Sequence, residues 1–154
     1  MIQFTEISVT DIDIIKPLWE KLREHQSSKS VNFGDDLKSV TWERRKNELT
    51  GANKRLKIFI ATKDDKHIGY CISSITNEGK GEIDSLFIDD NYRKKGMGSE
   101  FMERALQWFD ENGIKDIYIS VVVGNEEVLG FYGKFGFAPR SIYLKRQISV
   151  EKGN

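Results

Sequence analysis

Residues 82 to 99 hold the side chains best suited to chemistry. Glu82 and Asp84 stand two apart in the run Glu82-Ile83-Asp84-Ser85-Leu86-Phe87-Ile88. Residues two apart on a strand face the same side, so these carboxylates would converge. Next comes Asn91-Tyr92-Arg93-Lys94-Lys95-Gly96-Met97-Gly98, with three cations and two glycines, followed by Phe101, Met102, Ala105, Leu106 and Phe109 at helical spacing. The first NH groups of a helix have no intrahelical partner and carry the positive end of its dipole, so a thin basic loop entering a helix is a site for phosphate or pyrophosphate. A P-loop needs Gly, four residues, then Gly-Lys-Ser/Thr, and the chain has none. The dinucleotide fingerprint needs a third glycine where Phe101 stands, and Asp116, at the right offset for its ribose-binding acid, precedes a strand instead of ending one.

The elements that must position these groups follow from periodicity. The carboxylates ride on a strand from Glu82 to Asp89, and the loop opens a helix from Ser99 to Asn112, ended by a left-handed cap at Gly113. Upstream, residues 2 to 7 alternate as a first strand. Thr10, with Asp13 three residues on, offers an N-cap for a helix carrying Ile12, Ile14, Ile15, Leu18, Trp19 and Leu22; Pro17 either kinks that helix or marks its true start. His25 to Asp36 is polar and reads as a loop, and a second helix spans Thr41 to Leu49. Lys57 to Thr62 and His67 to Thr76 read as strands joined at Asp64-Asp65, with Asn77 to Gly81 turning into the central strand. The β-branched run Ile117 to Val123 predicts a buried strand, Asn125 to Phe135 a helix and Ile142 to Ile148 a last strand. Gly130 and Gly133 inside that last helix predict that it is short or irregular.

Composition narrows the class. At 154 residues a single domain over 1–154 is expected, with enough chain for a real core. Lys+Arg and Asp+Glu are both 24, which argues against a nucleic-acid partner. No apolar run approaches the ~20 residues of a membrane span, and residues 1–3 begin no signal peptide, so a cytoplasmic protein is expected. One cysteine, Cys71, rules out an internal disulfide and CxxC zinc sites; the only histidines, His25 and His67, lie far apart, so no metal is expected. Cys71 reads as a small buried hydrophobe, Trp108 as packing or a subunit contact, and Glu43-Arg44-Arg45-Lys46 as solvated surface.

Arg93-x-x-Gly96-x-Gly98 at a helix start directly after a strand resembles the acetyl-CoA loop of the GNAT superfamily of N-acetyltransferases. Phe131-Tyr132-Gly133-Lys134-Phe135-Gly136-Phe137 is similar to that family's Phe/Leu-Tyr-x-Lys-x-Gly-Phe. Asn125, seven residues before Tyr132, and Gly69-Tyr70 in the third strand add to the likeness, while Val128 stands where the family usually has Ala. The resemblance runs from about residue 2 to residue 148. It implies an α/β (α+β) GNAT acyl-CoA N-acyltransferase fold, a mixed central sheet flanked by helices in the order β-α-α-β-β-β-α-β-α-β.

The resemblance further implies acetyl transfer from acetyl-CoA to a primary amine of a small molecule, peptide or protein, by direct attack in a ternary complex. The family splays its central strand from the next one to hold pantetheine. By position, the Leu86 NH would polarise the acetyl carbonyl, and backbone groups through Phe87 and Ile88 would bind the pantetheine amides. Arg93, Lys94, Lys95, Gly96, Met97, Gly98 and Ser99 would cradle the pyrophosphate, with Asn125 also on the cofactor. Tyr132 would return a proton to the thiolate. Glu82, or next Asp84, would take the proton of the amine. Trp19, His25, Phe33 and Trp42 fall where the family builds its acceptor site. A homodimer is expected from the family's habit. The competing reading is a non-catalytic acyl-CoA-binding module.

Overall fold

The computed structural model describes residues 1–51 and 53–148. Five strands, β1 (Gln3–Ile7), β2 (Lys54–Lys63), β3 (Lys66–Thr76), β4 (Gly81–Ile88) and β5 (Ile117–Ile119), form one sheet in that order. The first four are antiparallel neighbours, whereas β5 lies parallel to β4. A 3-10 segment at Val9–Ile15 runs into α1 (Lys16–Lys29), followed by α2 (Gly34–Lys38) and α3 (Trp42–Leu49); α4 (Met97–Glu111) and the short α5 (Leu129–Gly133) come later in the chain.

Alternation along the strands gives the sheet two buried faces. Ile58, Ile60, Tyr70 and Ile72 pack with Ile12, Ile15, Leu18, Trp19, Trp42 and Leu49 from α1, α3 and the 3-10 segment. Ala61, Cys71 and Ile75 pack with Phe101, Met102, Ala105 and Phe109 of α4. Every residue of β3 from Ile68 to Ile75 is buried, as a strand covered on both sides must be.

Two irregularities in this sheet matter. In the ladder between β3 and β4, Ile72 faces Ser85 and Ser73 faces Ile83, so Asp84 is an extra, bulged residue. A bulge shifts the alternation by one. Ile83 therefore joins the α4 core, whereas Phe87 joins the α1–α3 core and Ser85 bonds Tyr70 on that side. Second, β4 pairs with β5 only over Gly81–Ile83, opposite Ile117–Ile119. From Asp84 onward β4 has a free edge.

Several expectations are corrected. Residues 120–123 leave the sheet, so the predicted strand ends at Ile119, where β4 and β5 part. Over Ile142 to Ile148 no strand forms: the chain finds no sheet edge, and Ile142, Tyr143, Leu144 and Ile148 are exposed. The segment His25–Asp36 is largely helical. α1 continues to Lys29 with its polar side outward, and Ser27 donates to the Gly34 carbonyl to seat α2. Ser8, not Thr10, caps the first turn, and Pro17 marks the true start of the α-helix. The last helix shrinks to a 3-10 turn at Glu126–Val128 and the five residues of α5, in keeping with Gly130 and Gly133. α4 begins two residues early, with Gly96 at its N-cap at φ 82°.

Candidate active site

A cleft of about 1050 Å³ opens where β4 and β5 separate. One wall is α1, with Trp19, Arg23 and His25; the floor is β4; the far end is the loop into α4, with Arg93, Lys94, Gly96, Gly98 and Ser99.

Backbone groups along a strand alternate between its two edges. The Asp89 NH bonds back to the Ile68 carbonyl of β3, so the groups of Ile88 and Leu86 point to the free edge. Arginines occupy two carbonyls of that series: Arg45 Nη2 donates to the Asp84 oxygen and Arg93 Nε to the Ile88 oxygen, both at 2.9 Å. Neither strand nor arginine claims the NH groups of Leu86 and Ile88, which face the cleft.

The bulge directs Glu82, Asp84 and Ser85 to the α1–α3 side. Burial first, then the neighbouring Asp84 carboxylate, pushes Glu82 up from the ordinary range against the pull of Lys54 and Arg45. Asp84 is likewise raised by burial, opposed by the Ser74 hydroxyl, Lys54 and Arg45. Its side chain is 4% exposed, with Lys54 Nζ 3.9 Å from Oδ1, and Oδ2 has no hydrogen-bond partner. Ser85, buried, shares its hydroxyl with Tyr70 at 2.7 Å.

Tyr132 stands on the opposite side of the β4 edge, packed with Phe131 and Phe137 against the α4 core. Burial pushes its phenol up to about 12, so the proton stays on at neutral pH. Its seat is set by Gly98: a Cβ there would lie 2.9 Å from Phe131 Cζ, so only glycine lets α5 approach α4 this closely. Cys71, fully buried, is also raised to about 12 and remains an inert thiol.

At the loop, Lys94 and Gly96 adopt φ of 63° and 82°, which turns the chain into α4. The first helical bond is Glu100 NH to the Gly96 carbonyl, and no side chain caps the turn, so the NH groups of Met97 to Ser99 are open to an anion. A Cβ on Gly96 would meet nothing within 4 Å. Arg93 is not a free cation: besides bonding Ile88 it pairs with Asp90 at 3.1 Å. The Lys95 side chain lies over Tyr92, and that of Met97 is buried in the core; neither lines the cleft.

Of the expected acceptor residues, Trp19 and His25 line the cleft, while Phe33 and Trp42 do not. Trp42 is buried against Trp19, its indole NH on Asp13 at 2.8 Å, and is a packing residue. Sequence reasoning missed Arg23 and Arg45. Arg45 was grouped with a solvated charge run, yet its spacing of three from the inward Trp42 puts it on the buried side of α3. Arg23 likewise lies four residues after Trp19 on α1.

No group of three His, Cys, Asp or Glu side chains poised to hold a metal occurs among the described residues, and no described helix is long and apolar enough to cross a membrane.

Comparison with known proteins agrees with this architecture. An N-acetyltransferase of Methanocaldococcus jannaschii, itself uncharacterized, is 24% identical over 90 residues, which cover 54% of this chain and 40% of that protein. The chain thus spans less than half the length of that curated relative. An aminoglycoside acetyltransferase from an uncultured soil metagenomic sample, solved with trehalose, shares the fold with a TM-score of 0.66 at 15% identity over 96% of both chains. A "predicted acetyltransferase" of Clostridium acetobutylicum, solved with acetyl-CoA, has a TM-score of 0.63 at 17% identity over 98% of both. The profile of the acetyltransferase (GNAT) family matches residues 19–137, and the chain belongs to that family.

Proposed function

We propose that the protein transfers an acetyl group from acetyl-CoA to a primary amine by direct attack in a ternary complex. The observation that carries this reading is the free edge of β4, which leads in one cleft from two raised carboxylates to an uncapped helix start. The residues fit the cosubstrate. Gly96 leaves open space beside unpartnered NH groups, and Asn125 presents a buried carboxamide oxygen without a partner, an acceptor for an NH of the ligand.

Bound acetyl-CoA would supply a thioester carbonyl as electrophile and a thiolate as leaving group. Lys94 and the NH groups of Met97 to Ser99 hold the pyrophosphate. The Ile88 NH holds a pantetheine amide, and the Leu86 NH donates to the carbonyl oxygen as negative charge develops there. An ammonium has no lone pair, so Glu82 takes one of its protons directly or through water; burial raises its affinity for protons above that of an ordinary carboxylate, which makes it the stronger base. As the nitrogen bonds to the carbonyl carbon and the carbon–sulfur bond breaks, Tyr132 would give its proton to the sulfur, and the second proton that the nitrogen sheds as the amide forms would pass through solvent and restore the phenol.

Acetyl-CoA consumption against a panel of amines, followed by thiol release, tests the proposal. Transfer to at least one amine, reduced in Glu82→Gln, is expected. Tight acetyl-CoA binding with no transfer to any amine would refute it.

A further inference from the structure

Among the described residues, three buried side-chain polar atoms lack a hydrogen-bond partner: Arg23 Nε, Asp84 Oδ2 and Asn125 Oδ1. All three residues line the cleft, and Arg23 also borders a smaller pocket with Glu20, Thr41 and Glu43. Buried polar atoms are almost always paired, so three unpaired ones on residues that line one cleft point to a ligand that completes the bonding. Their polarity differs, and that difference describes the ligand. Asn125 and Asp84 offer acceptor oxygens; Arg23 offers a donor.

Asn125 is accounted for by the cosubstrate, and Asp84, with Glu82 beside it, suits the ammonium of the acceptor. Arg23 is not accounted for by any amine. Its Nη1 donates to the Val40 carbonyl at 2.9 Å, and its guanidinium lies 5.2 Å from the centre of the Trp19 ring, so the plane is fixed. It has no carboxylate partner among the described residues. The edge formed by Nε and Nη2 is the one that grips a carboxylate with two parallel bonds. The other guanidinium of this wall, Arg45, is spent on the Asp84 carbonyl and on Glu48 at 3.5 Å.

Resting on the acetyltransferase reading above, we infer that the acceptor is a primary amine that also carries a carboxylate, an amino acid or a close analogue. Its carboxylate lies on the Nε–Nη2 edge of Arg23 and its ammonium against Glu82 and Asp84. The same arrangement selects against polyamines, whose further ammonium groups would meet Arg23 with like charge.

The test uses the full chain and acetyl-CoA with α- and ω-amino acids, each paired with its decarboxylated amine, and polyamines alongside. For productive pairs kcat/KM should favour the acid by at least about tenfold. Arg23→Gln should raise the KM of the acid by roughly 10–100-fold, the range expected on losing a charged hydrogen-bonding partner, and bring the acid-to-amine ratio close to one; Arg23→Lys should restore part of it. Equal use of acid and amine, a preference for polyamines, or an Arg23→Gln variant that slows both partners while preserving their ratio would overturn the inference and leave the acetyltransferase reading standing. Failure to acetylate any compound despite acetyl-CoA binding would overturn both.

Discussion

Arg45 couples the stability of the bulge to the protonation of the cleft, and Arg45→Met separates the two. Its Nη2 is bonded to the Asp84 carbonyl at 2.9 Å, and its charge opposes the burial that raises Glu82 and Asp84. Methionine keeps most of the stem but leaves that carbonyl without its charged donor, at a cost of roughly 1.5–3 kcal/mol. For a chain of this size that is a fall in Tm of roughly 3–12 °C. Loss of the cation also lets Glu82 rise further. A base acts in its deprotonated form, so the acid limb of the kcat/KM profile should move to higher pH. Thermal unfolding and pH-rate profiles of wild type, Arg45→Met and Arg45→Lys distinguish the contributions. Lysine keeps the charge and should hold the acid limb near its wild-type position while recovering only part of the stability. An acid limb that stays put in Arg45→Met would refute the assignment of Glu82, under the field of Arg45, as the titrating base.

Three further outcomes follow from named contacts. Tyr132→Phe should lower turnover by roughly 10²-fold or more if the phenol is the general acid, with acetyl-CoA affinity by calorimetry nearly intact; undiminished turnover would remove Tyr132 from that role. Gly81→Ala puts a Cβ 2.7 Å from the ring of the fully buried Phe109, which cannot yield, and should cost about 1–3 kcal/mol in urea unfolding. Lys21 holds the buried Asp89 carboxyl below its ordinary range through a 2.8 Å bond. A depressed carboxylate stabilises above its unfolded value and loses that contribution as pH falls through its folded value. Lys21→Met should therefore cost about 1 kcal/mol near neutrality, the Lys21 side chain being 54% exposed, with the gap to wild type closing as pH drops below about 4.

What the sequence disclosed was local. Hydrophobic periodicity located β1 to β4, α3 and α4, and the turn chemistry of Asp64-Asp65 and Asn112-Gly113 marked ends that the fold keeps, with positive φ at Asp64, Asp65 and Gly113. Arg93-x-x-Gly96-x-Gly98 pointed to the helix start, but not to Arg93 being tied to Ile88, a contact set by how the loop doubles back. The bulge at Asp84 left no mark, because it is a property of the ladder with β3 and not of residues 82 to 88 alone. The β-branched run at 117–123 looks like strand throughout, yet pairing stops after Ile119 because the neighbouring β4 diverges. Arg45 reads as part of a solvated charge run, and nothing in the sequence singles out Arg23. Only the packing of α1 and α3 against β4 turns them into the cleft.

Calorimetric titration of acetyl-CoA into wild type, Gly96→Glu and Gly79→Glu bears most directly on the cleft as an acetyl-CoA site. Gly96 and Gly79 have matching φ of 82° and 83°, and a Cβ at either meets nothing within 4 Å, so both variants carry the same backbone strain and the same added charge. Only Gly96 lines the cleft. Binding by wild type and Gly79→Glu, lost in a folded Gly96→Glu, is the predicted result. Absence of binding by wild type, or equal binding by all three proteins, would contradict the account.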